Sequence, residues 1–227
     1  ELWGSAARET LRGGAGNDYI STGGGGDTAD GGLGDDEIVG GAGDELLIGN
    51  VGRDVIDGGG GEDRLIGGSG LDRLNGGSGN DRMYGGNGND SLDGGSGGDT
   101  LWGGGGKDVL YGRVGNDRLF GGGMADKLAG HGGADVLDGG SGADTLIGGR
   151  GRDTFVFSMG YGNDVVTDFA PGADHLDLSG TEFGRFAQVK AAAIETDAGL
   201  QIVISTEDRL LLEGLHLSDL SAGDIWL

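Results

Sequence analysis

The chain has 227 residues, including 59 glycines, one proline and no cysteine, and 38 acidic against 15 basic residues give a formal charge of −23. One proline excludes a collagen-like helix, and the missing cysteine excludes disulfides and thiolate metal sites. The acidity argues against nucleic acid or an anionic membrane as partner, no apolar run approaches the ~20 residues of a transmembrane helix, and interior glycines disfavour a helical core by about 1 kcal/mol each. An apolar share of 35% is nonetheless too high for a solvated tail. The opening Glu1-Leu2-Trp3, with neither methionine nor leader, reads as part of a longer polypeptide.

Residues 1–12 form a degenerate unit with Glu9 and Leu11 at its marked positions. From Gly13 to Val156 the sequence runs as sixteen nonapeptides without an insertion. Glycine fills positions one, two and four, and 43 of the 59 glycines lie there. Position six holds Asp18, Asp27, Asp36, Glu45, Asp54, Asp63, Asp72, Asp81, Asp90, Asp99, Asp108, Asp117, Asp126, Asp135, Asp144 and Asp153. Position eight is apolar from Ile20 to Phe155, and only Ala29 is small. After a two-residue slip, Gly160, Gly162, Asp164 and Val166 restore the pattern.

This unit resembles the G-G-x-G-x-D-x-U-x repeat of the RTX (repeats-in-toxin) family, over residues 4–166 by motif. The resemblance implies an all-β fold, a right-handed parallel β-roll with calcium between stacked turns on both edges. Elementary physics agrees with it. The last three positions suit a short strand with position eight inward, and the six before it suit a glycine turn. Two nonapeptides then make one coil, and the chain returns after eighteen residues one strand spacing along, about 4.8 Å. Eight coils span roughly 38 Å.

Such a core is thin. Two aliphatic side chains per coil contribute about 3–6 kcal/mol, whereas ordering eighteen residues costs over ~1 kcal/mol each. The stack also aligns its acids in two columns, whose like charges need a counter-charge between them. A hard divalent cation with oxygen ligands fits, and the position-six aspartates with Asp164 are its expected ligands, Glu45 a weaker one. About 14 calcium ions fit by stacking geometry. The scattered His131, His175 and His216 do not suggest zinc. Arg113 and His131 replace position-two glycines and Met124 a position-four glycine, so the 112–138 segment is expected to bind more weakly than 58–111. Asn50 also replaces a glycine, but asparagine tolerates left-handed backbone.

Outward positions on one face read Ile48, Ile66, Tyr84, Trp102 and Phe120, beside Arg64, Arg82 and Arg118. This stripe suggests cross-strand packing, a docking surface for another segment, or an acidic-polysaccharide site such as alginate-modifying enzymes carry.

Residues 157–227 read as a cap and tail. Phe155, Phe157 and Phe169 cover the last coil, and Asp168, Asp174 and Asp177 are either a terminal ion site or solvated acids. A short helix is expected over 185–195, and a hairpin joins Leu200–Ile204 to Leu210–Leu212. The ending Asp224-Ile225-Trp226-Leu227 resembles the uncleaved signal of type I secretion substrates. The implied protein is a secreted, extracellular bacterial one whose partners are calcium, the type I machinery and an upstream domain. Gly94–Gly98 matches G-x-S-x-G inside a repeat turn, and no H-E-x-x-H occurs, so no catalysis is expected in the chain. A polysaccharide-binding module and the repeat end of a pore-forming toxin are the alternatives.

Overall fold

The computed structural model describes residues 1–227. Its strands alternate between two sheets, one of thirteen strands and one of eleven, with parallel order through the repeats. Arg64–Gly70, Arg82–Gly88, Thr100–Gly105 and Arg118–Gly123 are consecutive neighbours in one sheet. Val55–Gly60, Arg73–Ser78, Ser91–Ser96 and Val109–Val114 are consecutive in the other. Each residue pairs with the one eighteen further on, Met83 with Leu101 and Leu92 with Leu110. The chain is therefore a parallel β-roll of two nonapeptides per coil.

The inward position-eight residues form the core expected of them. Ile20 through Phe155 are all buried, including Ala29. They join one cluster that runs on through Phe157, Val166, Leu176, Leu178 and Leu212.

The strands are longer than the three residues expected. Arg64–Gly70 spans position seven of one unit through position four of the next. Successive coils superimpose so closely that the ladder continues around the bend. Gly61 N–H donates to the Ser78 carbonyl at 2.9 Å, and Arg82 N–H to the Asp63 carbonyl at 2.8 Å. Gly61 shows why glycine is needed there: its φ is +132°, and a Cβ would collide with the Gly43 carbonyl of the previous coil.

Four other residues hold left-handed backbone, at φ +73° to +78°: Asn50, Arg113, Met124 and His131. Each such residue costs about 1–2 kcal/mol. The three at position two offset this through the position-nine residue twenty earlier. Asn50 donates to Asp30 at 2.7 Å, Arg113 forks onto Asp93 at 2.6–3.0 Å, and the His131 ring lies 5.8 Å from that of Tyr111. Met124 is exposed and has no such contact.

Both sheets run past residue 156 through Thr154–Ser158, Asn163–Val166 and His175–Gly180. The expected helix covers only Phe186–Ala192, with Val189 its buried residue. Beyond it, Ala193–Thr196 forms a strand because its backbone pairs antiparallel with Gly199–Val203. The expected hairpin is present as Gly199–Val203 against Arg209–Glu213, and the second of these pairs parallel with Asn163–Val166. The final strand, Ile225–Trp226, lies on Leu176–Asp177.

Candidate metal centre

The roll places the acids in two columns, one along each edge. Asp18, Asp36, Asp54, Asp72, Asp90, Asp108, Asp126, Asp144 and Asp164 share one. Asp27, Glu45, Asp63, Asp81, Asp99, Asp117, Asp135 and Asp153 share the other, preceded by Glu9 and followed by Asp174. Within a column each aspartate from Asp27 to Asp153 uses its two carboxylate oxygens differently. Oδ1 accepts the main-chain N–H of the acid one coil earlier, at 2.8 Å for Asp63 onto Asp81 and 2.9 Å for Asp72 onto Asp90.

The second oxygen has no donor. From Asp27 to Asp153, Oδ2 of fourteen aspartates and Oε2 of Glu45 are buried without a hydrogen-bond partner. A carboxylate oxygen removed from water without a partner is costly, and like charges stacked along the axis compound the cost. Asp72, Asp99, Asp108 and Asp144 are pushed up to about 6, and Asp81, Asp126 and Asp135 to about 7. Burial is the main cause in each.

Main-chain oxygens surround these free atoms. A Cβ built on Gly67 would lie 2.6 Å from Asp72 Oδ2 and 2.7 Å from the Gly85 carbonyl one coil on. Gly76, Gly85 and Gly103 face the same pair of oxygens in their own coils. At these four position-one glycines a methyl group would fill a cradle of carboxylate and carbonyl oxygen. An all-oxygen, irregular donor set of this kind suits calcium better than magnesium, which demands a tight octahedron, or zinc, which favours nitrogen and sulfur. Nowhere do three His, Asp or Glu side chains converge, so main-chain carbonyls would supply much of any ion's shell.

A family model described as the RTX calcium-binding nonapeptide repeat matches residues 3–38, 39–74, 57–92, 66–101, 93–123 and 120–155, unbroken from 3 to 155. The chain belongs to this RTX family. No curated protein matched it. Among solved structures, the extracellular lipase LipA of Serratia marcescens is 20% identical over 87% of this chain, with a TM-score of 0.40. Two subunits of a mannuronan C5-epimerase from Azotobacter vinelandii also match. AlgE6R3 is 30% identical over 62% of this chain and 78% of its own, with a TM-score of 0.40. AlgE6R2 is 35% identical over 53% and 88%, with a TM-score of 0.41. The chain spans 40% of the length of the lipase.

Where the RTX roll meets its cap, the acids change partners. Asp174 accepts Asp153 N–H at 3.0 Å and Ala170 N–H at 2.8 Å, so both its oxygens are used. Asp168 takes Gly148 and Gly149 N–H at 2.9 and 2.8 Å, and Asp177 takes Ser179 N–H at 3.0 Å. These acids tie down main chain. Asp208 does so too: it accepts the Ser205 hydroxyl at 2.6 Å and the Gly160 and Gly162 N–H groups at 3.0 and 2.9 Å. Those bonds, the Ser205 one foremost, hold its carboxyl below the usual range.

A second polar column was not foreseen from the repeat. At position five, Asn80 Oδ1 accepts Gly98 N–H at 2.7 Å, Asn89 accepts Lys107 N–H at 2.8 Å, and Asn116 accepts Ala134 N–H at 2.7 Å. These bonds run opposite in sense to those of position six. The recurrent Asn-Asp pairs, such as Asn80-Asp81 and Asn116-Asp117, were the available signal.

The outer stripe forms in register, Ile48, Ile66, Tyr84, Trp102 and Phe120 in successive strands. Tyr84 and Trp102 stack at 4.5 Å and 1° between planes, Trp102 and Phe120 at 5.7 Å and 11°. Arg64 covers the Tyr84 ring at 5.3 Å. The ring faces are thus spent on one another, which is cross-strand packing. Arg64, Arg82 and Arg118 form no ion pair; the two in the structure are Arg113–Asp93 and His216–Glu195.

Proposed function

We propose that the chain is a calcium-triggered folding module, unfolded where calcium is scarce and folded where it is abundant. The observation that carries this is the column of buried carboxylate oxygens without donors. The expected ligands are Asp18, Asp27, Asp36, Asp54, Asp63, Asp72, Asp81, Asp90, Asp99, Asp108, Asp117, Asp126, Asp135, Asp144, Asp153 and Asp164, with Glu45 weaker. A bound calcium ion supplies positive charge between stacked carboxylates and satisfies their free oxygens. The residues do the rest: Oδ1 fixes each carboxylate on the neighbouring main chain, and the position-one glycine keeps the space beside Oδ2 open.

Extracellular calcium modules bind at about 10⁻⁴–10⁻³ M, a range met outside cells and not in cytosol. The module is therefore read as leaving a bacterial cell unfolded through type I secretion machinery and folding outside. There it supports the folding and stability of an upstream domain of the same polypeptide. The sequence divisions 1–12, 13–156 and 157–227 are part of this reading. The test is a calcium titration of the whole chain followed by circular dichroism. Cooperative gain of β structure at submillimolar to millimolar calcium is expected, and equal β structure in excess chelator refutes the reading.

The three unpaired arginines favour a second reading, contact with an acidic polysaccharide through guanidinium groups and ring edges. Unchanged alginate binding in a Trp102→Ala, Arg82→Ala double variant removes it.

A further inference from the structure

One junction of the roll departs from all the others. Among the sixteen nonapeptides, position one is glycine except at Thr22. Thr22 is fully buried, and its Oγ1 donates to the Gly40 carbonyl, the position-one carbonyl one coil on. That carbonyl is the counterpart of the Gly85 oxygen that faces Asp72 Oδ2 across the Gly67 cradle. At the other fifteen position-one sites the residue is glycine and places no side chain of its own beside the acid. At Thr22 a hydroxyl and a methyl group fill the corresponding space.

The acid across the same junction is also altered. Asp27 is followed one coil on by Glu45, not aspartate. Glu45 Oε1 accepts Gly26 N–H at 3.1 Å, whereas the aspartates accept the N–H of the acid itself. Two substitutions from opposite sides therefore meet at one place, and each supplies a hydrogen bond between the coils. Neither alone would be decisive. Together they fill the space and tie up the Gly40 carbonyl and Glu45 Oε1 with protein contacts, while Asp27 Oδ2 and Glu45 Oε2 stay without a donor.

We propose that the Asp27–Glu45 junction is closed by Thr22 and binds no calcium, so that one coil-to-coil seam near the start of the array is independent of the ion. The proposal rests on the calcium reading above. Its consequence is a count: the chain binds one ion fewer than its column of acids would allow. It also localises the deficit, since two junctions on along that edge, from Asp63 to Asp81, glycine is kept at Gly58 and aspartate on both sides.

The test is calcium stoichiometry of the whole chain by native mass spectrometry, together with anomalous scattering from a crystal grown in calcium. Restoring the repeat with T22G/E45D should add one bound ion, located between positions 27 and 45. Converting an open junction with G58T should remove one. T22V keeps the bulk without the hydroxyl and should leave the count at the wild-type value, while amide exchange at Gly40 and Glu45 speeds up. An ion between Asp27 and Glu45 in the wild type, or an unchanged count in T22G/E45D, overturns the proposal. A wild type that binds no calcium at all refutes the calcium reading instead, so the two failures are distinguishable.

Discussion

Replacing Asp81 by asparagine separates the two jobs the carboxylate does. The amide oxygen can still accept Asp63 N–H, now at 2.8 Å, so the local geometry is kept and one negative charge is lost. Asp81 sits between Asp63 and Asp99, whose charges help raise it to about 7 after burial has done most of the work. At one strand spacing, two charges repel by about 3 kcal/mol with an effective dielectric constant near 20, and by about 1 kcal/mol in a water-like medium. Without calcium, D81N should therefore stabilise folded coils by roughly 1–3 kcal/mol. With calcium the sign reverses, because Asp81 belongs to the junctions on both sides of it. A site filled at a hundredfold excess over its Kd contributes about 2.7 kcal/mol, so weakening two removes roughly 3–5 kcal/mol. Circular dichroism reads both arms, as the residual β signal in chelator and as chemical denaturation in 10 mM calcium. A loss of residual β signal in chelator together with a loss of stability in calcium would show that the carboxylate acts only as a main-chain acceptor, and the cation argument would fail.

Proton competition gives the next expectation. Burial pushes Asp72 up to about 6 and Asp81 and Asp126 to about 7 in the folded, metal-free roll, from an ordinary 3.8, so protonation favours the fold. That stability is fully present below about pH 4 and is lost as pH rises through 6 to 7. Acidifying a chelated sample from pH 7.5 to 4.5 should raise its β signal, while the calcium midpoint at pH 5.5 should exceed that at pH 7.5; a flat chelated signal contradicts this. Trp102→Ala should cost about 1–2 kcal/mol by thermal melting, since it removes two stacked contacts. Asp208→Ala should cost about 2–4 kcal/mol and loosen the cap, because three donors lose a charged acceptor; amide exchange at Gly160 and Gly162 checks it. Site-resolved occupancy should be lower over 112–138 than over 58–111, and equal occupancy refutes the weakening assigned to Arg113, Met124 and His131.

The fold was legible because the repeat constrains it redundantly. Position eight names the core from Ile20 to Phe155, and the nine-residue period fixes a register in which each position-six acid meets another acid. Side-chain direction was less visible. The sequence shows Arg113 where glycine belongs and suggests damage, but it cannot show that a left-handed residue there aims its side chain at Asp93. Position five escaped for a similar reason. Asn80 and Asp81 look like one acidic turn, yet they bond in opposite directions along the axis. In the cap, Asp168 and Asp174 share the look of the repeat acids, and only the tertiary path of the main chain gives them donors for both oxygens. The stripe was visible as a row of apolar residues, but the turn of its rings toward one another depends on rotamers that spacing leaves undetermined.

The contrast between roll and cap bears on why the acids are arranged as they are. Carboxylates that finish a structure on their own are fully bonded, as Asp174 and Asp208 are, and they cost nothing in unmet hydrogen bonds. Those of the roll are held half-satisfied: Oδ1 is anchored at every step, and Oδ2 is left buried among carbonyls. A hydroxyl at position one can bond the next coil directly, as Thr22 does to the Gly40 carbonyl, although Asp27 Oδ2 beside it still lacks a donor. On the calcium-triggered reading, keeping glycine at position one transfers the missing interaction from the chain to the solution, so that the free energy of folding varies with cation concentration. Each acid also contacts the coils on both sides, so filling one junction orders the ligands of the next. On the same reading the charge of −23 and the 43 patterned glycines are two halves of one device, because either alone would give a disordered tail or a roll indifferent to its surroundings.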